Sequence, residues 1–256
     1  MSAAAVVGGD PVTGTADVWL LPEHAIDAFA AECGGEGLLS EDERTRMARL
    51  LRPADRKRFL ARRMLCRFAL SARTGRPLGE WRFTIAPHGR PEPEPGTDGL
   101  RFSLADTRGL VVCAVTAGRA CGIDVEQTSV SAESAHHISR FFASEELLEL
   151  SALDPDALVA RVGELWVLKE AYLKAQGTGL HRSLAGFSFA PRGPTGAGRI
   201  TVRDSVRPGA WTFELFRPGP DHLVALAVEG DDRAAVRQTW LTGSGKPTDP
   251  RRGDGP

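Results

Sequence analysis

Two short segments carry the residues best suited to chemistry. In Gly122-Ile123-Asp124-Val125-Glu126 two carboxylates stand two residues apart. On a strand such residues share a face, so Asp124 and Glu126 project together while Ile123 and Val125 turn the other way. Carboxylates this close repel unless a proton or cation sits between them. Hard oxygen ligands favour Mg²⁺ or Mn²⁺ over zinc. The second segment runs from Glu164 to Lys174, ELWVLKEAYLK. Glu170 and Lys174 are four apart and share a helix face, where an acid and a base can meet one ligand. Taken singly, neither segment is specific. D-x-E is commonly a solvated strand face, and a Glu–Lys pair at this spacing is commonly a surface ion pair worth roughly a few tenths of a kcal/mol. Trp166 reads as core.

Two further features suit an anion. Basic residues crowd between Arg44 and Arg76, with Asp55 the one acid among them. Arginine recognises phosphate bidentately, although such a block is also an ordinary solvated helix face. His88-Gly89-Arg90-Pro91 places a glycine beside an arginine in a loop, so that backbone and guanidinium can both approach a phosphate. A turn with no ligand fits these four residues equally.

The surrounding elements must position these side chains. Residues 17–21 read as a strand. Ser40 followed by Glu43 forms a capping box that opens a helix. Pro53 can open another, with apolar residues at helical spacing from Phe59 to Ala69. Residues 81–85 read as a strand, and 87–99 as a proline-rich loop. Strands follow at 101–104, 110–116 and 120–126. Residues 131–153 and 155–176 read as helices, the second stopped by Gly177. Strands are expected at 186–190, 199–203, 211–216 and 222–228. Helices precede strands in each half, which predicts an α+β fold rather than a doubly wound sheet. The expected divisions are a disordered 1–15, an N-terminal half 16–119, a C-terminal half 120–242 and a disordered tail 243–256.

Composition narrows the function. The chain has 256 residues, 42% hydrophobic and 25% charged, with net charge −1. Nothing there provides a global basic field for nucleic acid, and no apolar run reaches the ~20 residues of a membrane span. Cys33, Cys66, Cys113 and Cys121 show no metal or C-x-x-C spacing and read as free thiols of a reducing compartment. The N-terminus is a poor signal peptide, and the expected localisation is cytoplasmic.

In combination the motifs become specific. G-I-D-V-E at 122–126, followed by W-x-x-K-E-A-x-x-K at 166–174, resembles the signature of the Sfp-type 4′-phosphopantetheinyl transferases. His88 to Pro91 is similar to the family's G-K-P or G-R-P loop. Phe102 to Val115 resembles its F-N-x-S-H-S strand and the apolar strand after it. Arg140-Phe141-Phe142 and Gly177-Thr178-Gly179-Leu180 resemble its R-F-F segment and closing loop. The resemblance runs from about Ser40 to Val228.

It implies two similar α+β halves about a pseudo-twofold axis, with an active-site cleft between them. It implies transfer of the phosphopantetheine arm of coenzyme A to a serine of an apo acyl or peptidyl carrier protein, with release of 3′,5′-ADP, by a monomer. By the same resemblance Asp124, Glu126 and Glu170 are the Mg²⁺ (or Mn²⁺) ligands. Glu170 is also the favoured base, and Lys174 a phosphate contact. Arg46, Arg58, Gly89, Arg90, Ala105, Asp106 and Lys169 join Lys174 as coenzyme A contacts. Residues 128–148 are the carrier-facing segment. One position departs from the pattern: the family commonly has Ser-His where this chain has Ala105-Asp106. Asp106 there either repels the nucleotide's phosphate or turns to a ribose hydroxyl, a backbone N–H, Arg101 or Arg108. Two alternatives stay open, a non-catalytic coenzyme A or nucleotide-binding module of the same fold and a metal-dependent phosphohydrolase.

Overall fold

A computed structural model describes residues 14–94, 99–129, 131–191, 198–232, 234–242 and 247–248. In chain order the strands and helices are β1 Thr15–Pro22, α1 Ile26–Cys33, α2 Glu41–Ala48, α3 Pro53–Thr74, β2 Phe83–Ile85, β3 Pro91–Pro93, β4 Leu100–Thr107, β5 Leu110–Ala117 and β6 Cys121–Gln127. There follow α4 Ala132–Ser139, α5 Ser144–Ser151, α6 Pro155–Gln176, β7 Ser188–Phe189, β8 Val202–Arg203, β9 Trp211–Gly219, β10 His222–Glu229, β11 Ala235–Leu241 and β12 Pro247–Thr248. The α+β class expected from the sequence holds.

The chain divides into two units. The first takes residues up to 84, then 91–118, and the chain from 235 onwards; the second takes 85–90 and 119–234. The expected halves were 16–119 and 120–242; here residues from 235 onwards belong to the first unit. The first unit's sheet has the order β12-β11-β1-β5-β4. β1 runs parallel to β11, with Thr15 opposite Ala235, and antiparallel to β5. Helix α3 supplies Phe59, Met64, Leu65 and Leu70 to the core that this sheet shares with Phe29 and Trp81. Trp81 donates its indole N–H to Ser71 Oγ at 2.8 Å, so a buried polar tip finds a partner.

The second unit is a β6-β10-β9 sheet packed on α6. Asp154 caps α6 by accepting from Ala157 N at 3.0 Å, Pro155 occupies its first turn and left-handed Gly177 ends it. Tyr172, fully buried on α6, gathers Phe187, Phe189, Trp211 and Phe213 in edge-on ring contacts.

Several expectations change. Residues 131–153 are two helices, because Arg140 to Ala143 break the run and Glu146 re-caps the chain at Ala143 N. The proline-rich loop includes β3, which pairs with β2 as a short edge ladder that needs few N–H donors. Thr15 and Pro247–Thr248 are paired strand residues rather than disordered ones. Gly14 accepts at its carbonyl from Ala235 N at 3.0 Å; the other terminal residues expected to be disordered, 1–13, 243–246 and 249–256, lie outside the described residues, as do 95–98 of the loop.

Candidate active site

Gly122 explains how the acidic strand reaches α6. A Cβ there would overlap the carbonyl oxygen of Ala171 and the backbone nitrogen of Ala175. Only hydrogen lets β6 lie this close to the last turns of the helix. Two residues along, Asp124 sits beside Lys174, whose Nζ donates to Asp124 Oδ1 at 2.6 Å. Glu126 accepts at Oε1 from the Trp166 indole at 3.0 Å. Trp166, read from sequence as core, is half-buried and orients one of the carboxylates. Its spacing four residues before Glu170 was the available signal.

The electrostatics are those of crowded acids. Burial pushes the Asp124 carboxyl up to about 7; Lys174 opposes the shift, and Glu126 and Glu170 add to it. Burial also raises Glu170, again against Lys174 and with help from Glu126. Asp124 Oδ2 and Glu170 Oε1 are buried and make no hydrogen bond. Two orphaned carboxylate oxygens are costly unless something positive meets them. Among the described residues no three His, Cys, Asp or Glu side chains are gathered closely enough to hold a metal ion as they stand. The fit to a hard divalent cation therefore rests on the two free oxygens of Asp124 and Glu170. Glu126 is engaged by Trp166 at one oxygen only.

The predicted coenzyme A contacts fare differently. Lys169 does not belong among them. It is fully buried, paired with Glu146 at 2.8 Å, and donates to the carbonyls of Leu184 and Phe187, both at 2.8 Å. Its three N–H donors are all used. Arg90 Nη1 donates to the carbonyls of Lys174 and Ala175 at 2.8 and 3.3 Å, where a cation suits the helix C-terminus. Gly89 takes φ +83° in the exposed loop that carries Arg90, and Gly89 N closes the turn on Ala86 O.

In the first unit Arg46 is exposed on α2 and Ala105 is buried within β4. Asp106 pairs with Arg62 at 2.9 Å and Arg58 at 3.5 Å, not with Arg101 or Arg108, because its β4 face meets α3. Arg58 is also held by Asp55 at 2.8 Å. Much of the basic block is neutralised in the same way. Arg67 pairs with Glu43 at 2.7 Å, Lys57 with Asp27 at 2.7 Å, and Arg73 with Asp17.

Beside Trp166 lies a cavity of about 460 Å³, lined also by Arg140, Phe141, Arg182, Leu184 and Ala185. Arg182 makes paired 2.6 Å bonds to both oxygens of Asp204, which is shared with the Tyr172 hydroxyl at 2.8 Å. Burial would raise Asp204, but these hydrogen bonds outweigh it and hold its carboxyl far below the ordinary range. None of Glu146, Arg182 or Asp204 was singled out in the sequence, where each reads as an ordinary surface charge.

Comparison with known proteins shows the family. A family model described as the 4′-phosphopantetheinyl transferase superfamily matches residues 120–227, which include the whole acidic site. The chain is 33% identical over 211 residues to the 4′-phosphopantetheinyl transferase HetI of Nostoc sp., covering 82% of this chain and 84% of that one. It is 30% identical to the 4′-phosphopantetheinyl transferase Sfp of Bacillus subtilis over 59% of this chain and 65% of that one. A crystal structure of a holo-(acyl-carrier-protein) synthase from Bacillus anthracis, in complex with CoA (3′,5′-ADP), overlaps with a TM-score of 0.37 at 19% identity. It covers 43% of this chain and 94% of that one.

Proposed function

We propose, from the premise that this chain belongs to the 4′-phosphopantetheinyl transferase superfamily, that it moves the phosphopantetheine arm of coenzyme A onto a serine of an apo carrier protein. The observation that carries the reading is the pair of unpartnered buried oxygens, Asp124 Oδ2 and Glu170 Oε1, beside the Lys174 ammonium. The serine Oγ attacks the β-phosphorus, a new P–O bond forms, and the bond to the bridging oxygen breaks to release 3′,5′-ADP. Glu170, on the buried acidic site with one carboxylate oxygen unpartnered, is the base of this reading and takes the proton from the serine hydroxyl. Lys174, fixed by Asp124, offers a cation to the phosphate oxygens. A Mg²⁺ or Mn²⁺ ion held by Asp124, Glu170 and Glu126 would offset the charge developing on the pyrophosphate. Trp166 fixes the Glu126 carboxylate through its indole N–H.

The four cysteines are buried thiols outside any disulfide, which suits a reducing compartment, so the reading takes the enzyme as cytoplasmic. The test is the intact mass of apo carrier proteins after incubation with enzyme, coenzyme A and Mg²⁺. A gain of one phosphopantetheine group is expected, lost in EDTA and restored by Mg²⁺ or Mn²⁺. Coenzyme A binding without any mass gain would instead indicate a binding module, and phosphate release without it a phosphohydrolase. Full transfer in chelator, with metal content nil, would remove the metal from the reading.

A further inference from the structure

Lys169 sits next to Glu170 in the sequence yet touches nothing at the acidic site. Its ammonium and the Glu146 carboxylate are both fully buried, 2.8 Å apart. Glu146 also accepts from Ala143 N at 3.0 Å and from Phe189 N at 2.9 Å. Lys169 reaches the carbonyls of Leu184 and Phe187, and lies 4.3 Å from the centre of the Phe187 ring and 5.3 Å from that of Phe142. One ion pair thus joins three segments to the middle of α6: the turn that opens α5, the 184–187 turn, and β7.

The segments so tied have a common use. Phe141 precedes the α5 turn, Leu184 and Ala185 form the other turn, and all three line the cavity that begins at Trp166. Phe141 before α5, and Leu147 and Leu148 on it, have 57%, 40% and 74% of their surface exposed. Large apolar side chains left in solvent along one short stretch suit a surface for a partner.

We propose that Lys169 and Glu146 are a positioning pair that sets the shape of the wall presented to the acceptor protein, without touching either substrate. The inference rests on the transferase reading above. Apolar groups can often replace a buried ion pair with little loss of stability, whereas removing one partner leaves a buried charge alone. A pair present only for stability is therefore replaceable; a pair that places a wall through directed bonds to backbone carbonyls and N–H groups is not.

The test is the double variant Lys169→Met/Glu146→Gln, compared with the wild type in carrier-protein and coenzyme A titrations and in thermal melts. KM for the carrier protein should rise about tenfold to a hundredfold, the scale of a misplaced substrate, while KM for coenzyme A stays within about twofold. Equal movement of both KM values, or of neither, in a folded variant would overturn the proposal. If the double variant does not fold, exposed Phe141→Ala decides. A selective rise in carrier KM supports the wall's role, and an unchanged KM overturns it. No transfer by the wild type would overturn the transferase reading itself, and the inference with it.

Discussion

A buried aspartate that accepts a lysine's hydrogen bond ordinarily titrates low, but at Asp124 burial outweighs Lys174 and the pKa climbs to about 7. The sign follows directly. With the folded value above the unfolded one, ionisation costs the folded state, so this contribution is harmless below about pH 4 and grows until about pH 7. Asp124→Asn should therefore end transfer while raising stability in chelator, by on the order of a few kcal/mol at pH 8 and by much less at pH 5. Thermal melts at the two pH values check this; a gap that does not widen with pH would remove burial as the governing cause. Asp106 shows the limit of reading one residue. From sequence its charge faced a phosphate, a ribose hydroxyl, a backbone N–H, or Arg101 or Arg108. Only the approach of β4 to α3 selects Arg62 and Arg58. Repulsion of the nucleotide is then largely offset within the protein, and the half-exposed pairs contribute up to about 1 kcal/mol. Asp106→Ala should lower stability by about that amount, and any change in KM should be alike for coenzyme A and dephospho-coenzyme A. A change confined to coenzyme A would restore the repulsion argument.

Elements were legible where local signals were strong. The capping box of Ser40 and Glu43 is made as expected, with Glu43 N on Ser40 Oγ at 3.2 Å and Ser40 N on Glu43 Oε2 at 3.0 Å. Helix α6 keeps its predicted bounds of 155–176, set by Asp154, Pro155 and Gly177. The acidic strand and helix were legible as separate words; what was not legible was the distance between them. That distance depends on Gly122, which carries no charge and does no chemistry, and whose need appears only when Ala171 and Ala175 lie above it. The same blindness hid Lys169. Its place on a helix buried on several faces, not its position in a motif, decides that it meets Glu146. Gly122→Ala should push β6 from α6, costing about 3 kcal/mol or more as overpacking against backbone. Transfer should fall together with stability, because Asp124 leaves Lys174. A variant with wild-type melting temperature would show that the strand can shift without loss.

For the molecule as a whole, the sequence order misled most at the C-terminus. Residues 235–241 alternate weakly and follow the second unit directly, so nothing local marks them as part of another sheet. Yet β11 pairs with β1 from Thr15 to Leu20, and Leu241 is fully buried in the first unit's core. Asp17, buried in β1, answers both Arg73 of α3 and Arg237 of β11, the latter at 2.9 Å. Long-range pairing of this kind is set by what the sheet lacks, an occupied edge beside β1, rather than by local propensity. A chain ending at Asp232 should therefore leave the N–H and C=O groups on one side of β1 unpaired and remove one of the two arginines from Asp17. Hydrogen exchange should show lost protection in β1 and β5, and the melting temperature should fall or the protein precipitate, since an uncovered strand edge is a template for aggregation. Arg237→Ala separates the two causes. With β11 still in place, it should cost on the order of 1 kcal/mol, because Asp17 keeps Arg73 and the exposed Arg237 is screened by solvent. If the truncated chain instead keeps full exchange protection in β1, the strand is an accessory, and the first unit's stability rests on α3 and β5 alone.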